Sequence, residues 1–293
     1  MMGTAKDYGT YGARPWQQTS WDARAAGNFI GGGRGSGLIV FAALSGATGS
    51  ALSVPILTGL ALVGLGLVCV ALELGRPLRA IRVLRNPRTS WMSREAWAAT
   101  LLFPIGLAVA VGAPGLLWIG VALALVFAYC QARLLQAAKG IPAWREPLLV
   151  PLLVTTGLAE GGGAFLLTAL FHGAATAATV GVFGGLVVAR FAVWVGYRRR
   201  LAGAVAPGAQ SALDGAGQVL LLAGTLAPLV LVAAATFAGV FALPIAALAG
   251  LLAALAGAWI KLVIVTRAGF NQGFALAHLP VRRRSLKQQR DGS

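Results

Sequence analysis

The chain has 293 residues, of which 58% are hydrophobic and only 11% carry a charge. With a mean hydropathy of +0.78, this composition excludes an ordinary soluble domain, in which about 25% of residues are charged. The formal net charge of +16 does not indicate a nucleic-acid-binding protein, because the basic residues are spread between apolar stretches. We expect anionic lipid headgroups and a docked acidic partner as their counter-charges, and no nucleic acid.

Eight apolar stretches follow one another along the chain, and each is close to the ~20 residues that cross a bilayer as a helix. The sequence therefore predicts an all-α polytopic membrane protein, an eight-helix transmembrane bundle at 29–265. A polar N-terminal segment at 1–28 precedes the bundle, and an amphipathic, then basic, C-terminal tail at 266–293 follows it. The predicted spans lie at about 29–50, 52–74, 91–112, 115–136, 148–171, 174–194, 217–240 and 243–265.

Basic residues distinguish the two ends of this bundle. All 24 lysines and arginines are assigned to the two termini and to the connections after spans two, four and six. In this assignment Arg34 opens span one, Arg190 belongs to the connection after span six, and Lys261 closes span eight. Because basic loops stay in the cytoplasm, we expect a multi-pass protein of the cytoplasmic membrane with both termini in the cytoplasm.

Glu160 lies near the middle of the fifth span and is followed by Gly161, Gly162 and Gly163. A carboxylate in hydrocarbon is costly, so we expect Glu160 to face the bundle interior and to bind a proton or meet a polar partner. One interpretation is a proton relay or a site-lining acid. The other is a neutral side chain that hydrogen-bonds a neighbouring helix, which the glycines allow to approach closely.

A second polar group lies at the basic ends of the first two spans. Glu73 and Arg76 are three residues apart before Pro77, which is typical of an ion pair that ends a helix. The same pair also suits a pocket in which Arg76 donates a hydrogen bond to a quinone carbonyl and Glu73 carries the proton. Asn28 and Arg34 accompany a glycine run, which allows close approach by another helix or by a ligand.

Arginines at 76, 79, 82 and 85 follow at i+3 steps and would share one face of an interfacial amphipathic helix. They predict contact with lipid phosphates or with an acidic soluble subunit. Both interpretations are open, because arginine binds phosphate and carboxylate oxygens alike.

The sequence lacks the ligands of a resident redox centre. His172 and His278 fall at opposite ends of the predicted bundle, so they cannot bind one haem between facing helices. Cys69 and Cys130 are too few for an iron–sulfur cluster. We therefore expect no haem and no iron–sulfur cluster in this chain, and any redox chemistry would act on a diffusible, lipid-soluble carrier.

Two neighbouring motifs carry a family resemblance. Residues 73–77 read Glu-Leu-Gly-Arg-Pro and residues 90–95 read Ser-Trp-Met-Ser-Arg-Glu. In these motifs, and in organisation over nearly the whole chain, the sequence resembles the quinone-interacting membrane anchors of molybdenum and tungsten oxidoreductases. That family includes the anchors of polysulfide reductase, formate-linked nitrite reductase and dimethyl sulfoxide reductase. Residues 16–22 and 266–274 are similar to a subgroup linked to phenylacetyl-CoA oxidation.

The resemblance implies an eight-helix bundle that binds menaquinone or ubiquinone near one surface. A ferredoxin-like iron–sulfur subunit would dock there, and a catalytic subunit with a molybdenum or tungsten bis-pterin centre would complete the complex. Some members use a histidine at the quinone site; spans one to four contain none, so Asn28, Glu73 or Arg76 would replace it. The residues expected at the quinone site or the docking face are Asn28, Arg34, Glu73, Arg76, Ser90, Trp91 and Arg94.

We therefore predict a subunit that exchanges electrons between a partner iron–sulfur cluster and the quinone pool. Glu73 would be the nearest catalytic proton carrier and Glu160 a deeper relay. Two other classes remain open at this point. A proton-coupled eight-span transporter would use Glu160 as its coupling acid, and a passive anchor would hold its partners without any dependence on quinone.

Overall fold

The computed structural model describes residues 14–72 and 82–273 of the chain. Within these residues the structure is helical, and the extended contact found there is an isolated antiparallel bridge between Gln17 and Phe270. A π-helical segment, Leu222–Leu226, joins α8 to α9, and another, Val263–Arg267, prolongs α10. The α-helices are α1 Ala23–Leu44, α2 Ser50–Ala71, α3 Trp91–Ala110, α4 Leu117–Gln136, α5 Pro142–Arg145, α6 Leu149–His172, α7 Ala177–Leu201, α8 Pro207–Leu221, α9 Ala227–Ala235 and α10 Ala242–Leu262.

Six helical stretches in the described residues are long and apolar enough to cross a membrane. The chain is therefore a multi-pass membrane protein, and the predicted all-α fold agrees with the structure. Helices α1 and α3, with 22 and 20 residues, are long enough to span but are not among these six. The six stretches are Ser50–Ala71, Pro114–Gln136, Leu149–His172, Ala177–Leu201, Pro207–Ala235 and Gly239–Arg267.

Helix α1 lies at the centre of the bundle, where it contacts α2, α4, α6 and α10. Most of its residues are buried, including the polar Asn28 and Ser36. Polar residues in a membrane helix are tolerated where they face protein and not lipid. The surroundings of α1 therefore explain why this helix is less apolar than its neighbours.

Glycines set the distance between α1 and the helices around it. A Cβ at Gly161 of α6 would lie 2.2 Å from the backbone of Gly37 in α1. A Cβ at Gly35, on another side of α1, would lie 2.4 Å from a carbonyl oxygen of α2. Neither position has room for a methyl group. The close helix packing that the glycine run predicts is confirmed.

Three basic residues do not belong to the membrane face to which the sequence assigns them. Arg190 and Lys261 are buried within α7 and α10, and Arg34 lies twelve positions into the α1 sequence Ala23–Leu44. The donor groups of all three bond to carbonyl oxygens inside the bundle. The assignment of all 24 basic residues to one face is therefore wrong for these three.

The described segments before α1 and after α10 pack against each other. Gln18 N donates to Gly269 O at 2.8 Å, and Asn271 N donates to Trp16 O at 3.1 Å. The side chain of Gln17 donates to Thr266 O at 2.7 Å, one of the carbonyls at a helix end that lack a helical partner. The described residues before α1 and after α10 are therefore in direct contact.

Several helix boundaries differ from the apolar stretches. Helix α1 begins at Ala23, six residues before the predicted start, because the Asp22 side chain accepts a hydrogen bond from Arg24 N at 2.7 Å and caps the helix. Helix α7 continues past position 194 to Leu201, and α8 begins at Pro207. Polar residues at helix ends hide such boundaries from a hydropathy pattern. Of the predicted arginine-rich amphipathic helix at 76–85, residues 76–81 lie outside the described residues, and 82–85 form a single 3₁₀ turn.

Replacing Gly161 by alanine tests the contact between α1 and α6. We expect Gly161→Ala to destabilise the bundle by about 1–3 kcal/mol, because the added methyl group overpacks a backbone contact. Thermal unfolding of the detergent-purified protein measures this loss. Gly181→Ala is the matched control, since a Cβ at Gly181 in α7 meets nothing within 4 Å. An equal unfolding temperature for the two variants would contradict the assigned contact.

Candidate functional site

An apolar cavity of about 310 Å³ lies between α1, α2, α3 and α4. It is at the end of the bundle where α1 and α3 begin and α2 ends. Asn28 and Glu95 contribute polar groups to a wall that is otherwise largely apolar. The remaining lining residues are Trp21, Ala25, Phe29, Leu67, Val70, Ala71, Val83, Met92, Ala96 and Leu134.

Asn28 and Glu95 form a buried pair in this wall. Asn28 Nδ2 donates to Glu95 Oε1 at 3.2 Å, and both residues are at most 3% exposed. The Asn28 Oδ1 atom is buried and has no hydrogen-bond partner in the structure. Because an unpaired buried acceptor is costly, Asn28 Oδ1 marks a position where a ligand could donate a hydrogen bond.

A side chain of helix α4 bonds to the backbone of Asn28. Gln131 Nε2 donates to Asn28 O at 2.9 Å, and both groups are buried. The amide of Gln131 occupies space that only a glycine leaves open, because a Cβ at Gly32 would lie 2.3 Å from Gln131 Nε2. The turn of α1 that carries Asn28 is thus fixed from α4 as well as from α3.

The motif at 90–95 places Glu95 at the cavity. Ser90 caps α3, because its hydroxyl accepts a hydrogen bond from Ser93 N at 3.3 Å, so the helix starts at Trp91. Ser93 Oγ in turn donates to Val83 O. These bonds fix the first turn of α3 to the preceding segment, and Glu95 follows on the face that meets α1.

A second buried polar cluster surrounds Glu160. Lys261 Nζ lies 3.0 Å from Glu160 Oε2 and also donates to Phe29 O at 2.9 Å. Arg34 Nε is 3.8 Å from the same carboxylate oxygen, and Arg34 Nη2 donates to Ala254 O at 3.0 Å. The prediction that Glu160 faces the interior and meets a polar partner is confirmed, and that partner is Lys261.

Glycines make room for this ion pair. A Cβ at Gly257 of α10 would lie 2.6 Å from Glu160 Oε1, and a Cβ at Gly33 of α1 would lie 2.6 Å from Lys261 Nζ. The pair therefore fills space at the junction of α1, α6 and α10. Because Phe29 accepts the Lys261 hydrogen bond and also lines the cavity, one turn of α1 contacts both polar groups.

Arg190 of α7 is a further buried cation. Its Nη1 donates to Ala253 O of α10 at 2.9 Å, and its Nη2 donates to Gly224 O. Gly224 belongs to the π-helical segment between α8 and α9, and such segments leave carbonyls without a regular helical partner. Arg190 thus connects α7 to α10 and to the π-helical segment between α8 and α9.

The structure separates the residues that the sequence groups into one site. Asn28 lines the cavity, whereas Arg34 binds at the Glu160 cluster. Ser90 is a helix cap, and Trp91 stacks with Arg94 at 4.1 Å from its ring centroid outside the cavity. Glu73 and Arg76, the predicted proton carrier and quinone ligand, lie outside the described residues.

Two residues of these clusters are missed by the sequence reasoning. Glu95 is the last residue of the motif at 90–95. It is also a carboxylate inside predicted span three, as Glu160 is a carboxylate inside predicted span five. Lys261 falls within predicted span eight at 243–265 but is counted with the basic tail. In both cases an ionisable residue within an apolar stretch is the signal.

A comparison with known protein families gives a match. A family model described as DMSO reductase anchor subunit (DmsC) matches residues 24–195. This range begins in α1 and ends within α7, so it includes Asn28, Glu95 and Glu160. No curated protein matches the chain. Among the described residues, no group of three or more histidine, cysteine, aspartate or glutamate side chains could hold a metal ion.

Removing Lys261 tests the buried ion pair. We expect Lys261→Met to destabilise the protein by about 3–5 kcal/mol, because it leaves the Glu160 carboxylate buried without its nearest cation. The double variant Lys261→Met/Glu160→Gln should recover part of this loss. Chemical denaturation in detergent measures both. Asp214→Asn, which breaks the exposed pair with Arg198, should cost only about 0–1 kcal/mol; a similar cost for Lys261→Met would contradict the pairing.

Proposed function

Because the chain belongs to the family of DMSO reductase anchor subunits, we propose that it exchanges electrons between a partner iron–sulfur subunit and the membrane quinone pool. The family implies a membrane anchor that associates with the iron–sulfur and catalytic subunits of a molybdoenzyme. The observation that carries the quinone proposal is the apolar cavity with Asn28 Oδ1 unpaired and Glu95 buried beside it.

The cavity has the chemistry that a quinone requires. A quinone ring is flat and apolar; its carbonyl oxygens need hydrogen-bond donors, and the hydroxyl groups of its quinol form need acceptors. The lining supplies apolar walls from all four surrounding helices, one free acceptor on Asn28 and one carboxyl group on Glu95. When bound, menaquinone or ubiquinone would take up or release electrons and protons at its ring oxygens, and the protein would supply position and hydrogen bonds.

Glu95 is the proposed proton carrier in this cavity. Its carboxyl group is held at Oε1 by Asn28 Nδ2, so its orientation is fixed before a ligand binds. A protonated Glu95 donates a hydrogen bond to a ring oxygen, and an ionised Glu95 accepts a proton from a hydroxyl group. Asn28 Oδ1 accepts a hydrogen bond from a hydroxyl group on the same ligand. The pair therefore serves either direction of electron flow.

The other predicted site residues keep separate proposed roles. Glu73 and Arg76 are proposed, on the resemblance alone, at the quinone site or the docking face. Ser90, Trp91 and Arg94 are proposed to contribute to the face that meets the iron–sulfur subunit. The contacts of Arg34 and Glu160 with α10 favour a role in holding the bundle together over direct contact with quinone, and a deeper proton relay at Glu160 remains a proposal.

The proposed membrane arrangement has eight spans at 29–265, flanked by segments 1–28 and 266–293. Helices α1 and α3 count as spans because both pack between helices that are apolar enough to cross the membrane. The connections at 45–49, 111–116, 173–176 and 236–241 contain no lysine or arginine. By the positive-inside rule, the opposite end and both termini would be cytoplasmic. The partner subunits would dock there, which also suits a coenzyme A thioester substrate of the proposed subgroup.

Purification of the complex tests the anchor function. A C-terminally tagged chain, extracted in mild detergent, should bring two soluble subunits with it, together with iron, molybdenum or tungsten, and quinone. Mass spectrometry and metal analysis measure the composition. A chain that purifies alone from membranes containing these subunits, and that drives proton flux in liposomes, would favour the transporter. A complete complex without quinone-linked activity would favour the passive anchor.

Substitution of Glu95 tests the cavity. Glu95→Gln should lower quinone-linked turnover about 10²–10⁴-fold, because it removes a positioned acid–base group. Activity of the soluble subunits with an artificial dye should stay unchanged. Glu146→Gln is the matched control, since Glu146 lies outside the cavity and pairs with Arg200 at 3.7 Å. Normal quinone turnover in Glu95→Gln would remove Glu95 from the site.

A further inference from the structure

A second cavity, of about 490 Å³, lies next to the first at the basic end of the bundle. It shares no lining residue with the apolar cavity. Three of its lining residues are cations, and none of those described is a carboxylate, so the wall has a net positive charge. The lining residues are Trp91, Arg133, Gln136, Ala137, Lys139 and Arg145.

Neutral partners orient two of the cations without neutralising them. Arg133 Nη1 donates to Gln136 Oε1 at 2.7 Å, and its guanidinium lies 4.8 Å from the centroid of the Trp91 ring. Arg145 Nη1 donates to Gln272 Oε1 at 3.0 Å. The Arg133 Nε atom is buried and has no hydrogen-bond partner. Fixed cations in a wall whose described lining contains no carboxylate favour an anion with several oxygen acceptors.

An exposed apolar strip leads from this cavity along α4 into the membrane. Val126 and Tyr129 are 49% and 44% exposed, and they precede Arg133 by two turns and one turn of the same helix face. Tyr129 also packs edge-on against Trp91, with ring centroids 5.8 Å apart. A basic cavity above an apolar strip is complementary to a molecule with an anionic head and hydrocarbon chains.

We propose that the Arg133, Lys139 and Arg145 cavity binds the phosphate group of an anionic phospholipid whose acyl chains lie along α4. Phosphate oxygens match the arginine donors, and basic pockets between membrane helices suit such headgroups. The continuity of the cavity with the apolar strip favours a lipid over a carboxylate of a docked protein. The proposal gives the expected lipid contact a defined site, and it does not require quinone in the apolar cavity.

Lipid retention by the intact complex tests this site. The wild-type complex, reconstituted in nanodiscs of phosphatidylcholine with a small fraction of phosphatidylglycerol, should retain phosphatidylglycerol through detergent exchange, as native mass spectrometry detects. The variant Arg133→Gln/Lys139→Gln/Arg145→Gln should bind it far more weakly, by about tenfold for each charge-assisted hydrogen bond that the substitutions remove. Arg14→Gln/Arg88→Gln/Arg199→Gln removes the same charge from exposed positions and should bind phosphatidylglycerol normally.

Competition and subunit composition separate the remaining outcomes. Displacement of phosphatidylglycerol by millimolar inorganic phosphate, with no preference for the lipid, would show a phosphate site and overturn the lipid assignment. Loss of the soluble subunits from the cavity variant, with phosphatidylglycerol retained, would show that a partner carboxylate occupies the cavity. Equal lipid retention in both triple variants would overturn the proposal. Quinone-linked turnover, measured in parallel, reports on the apolar cavity separately, because neither variant changes its lining.

Discussion

The contact of α1 with its neighbours through glycine is the constraint on which the rest of the structure depends. Gly37 and Gly161 bring α1 and α6 to a distance at which no side chain fits between them. At that distance Lys261 of α10 reaches both Glu160 and the carbonyl of Phe29. The same placement of α1 sets Asn28 against Glu95 of α3. A larger side chain at these glycines would push the helices apart. The residues of both polar clusters would then no longer be in contact.

The bundle satisfies its buried polar groups mainly with its own carbonyls and amides. Arg190 and Lys261 each donate to backbone carbonyls of neighbouring helices, which is the arrangement expected where no water is present. Some buried polar atoms of the described residues have no hydrogen-bond partner, and one of them, Asn28 Oδ1, belongs to a residue that lines the cavity of about 310 Å³. An unpaired buried acceptor on a residue that lines a cavity is a candidate contact for a bound ligand.

The two polar clusters differ in their surroundings. The ion pair of Glu160 and Lys261 is enclosed by α1, α6 and α10 and balances charge inside the bundle. The pair of Asn28 and Glu95 is open to a cavity near the basic end. They are linked through adjacent residues of α1, since Phe29 accepts from Lys261 and Asn28 donates to Glu95. The position of the proposed quinone site therefore depends on an ion pair that does not contact it.

The sequence by itself determined the helical membrane fold, the alternation of basic and non-basic connections, and the burial of Glu160, because hydropathy and the cost of a charge in lipid are local properties. It also singled out Asn28 and the motif at 90–95. Only the tertiary structure decided which charges meet, since the pairing of Lys261 with Glu160 spans a sequence separation of 101 residues. The tertiary structure likewise places Arg34 beside the ion pair and Glu95 at the cavity. Helix packing decides which face of each helix meets which neighbour.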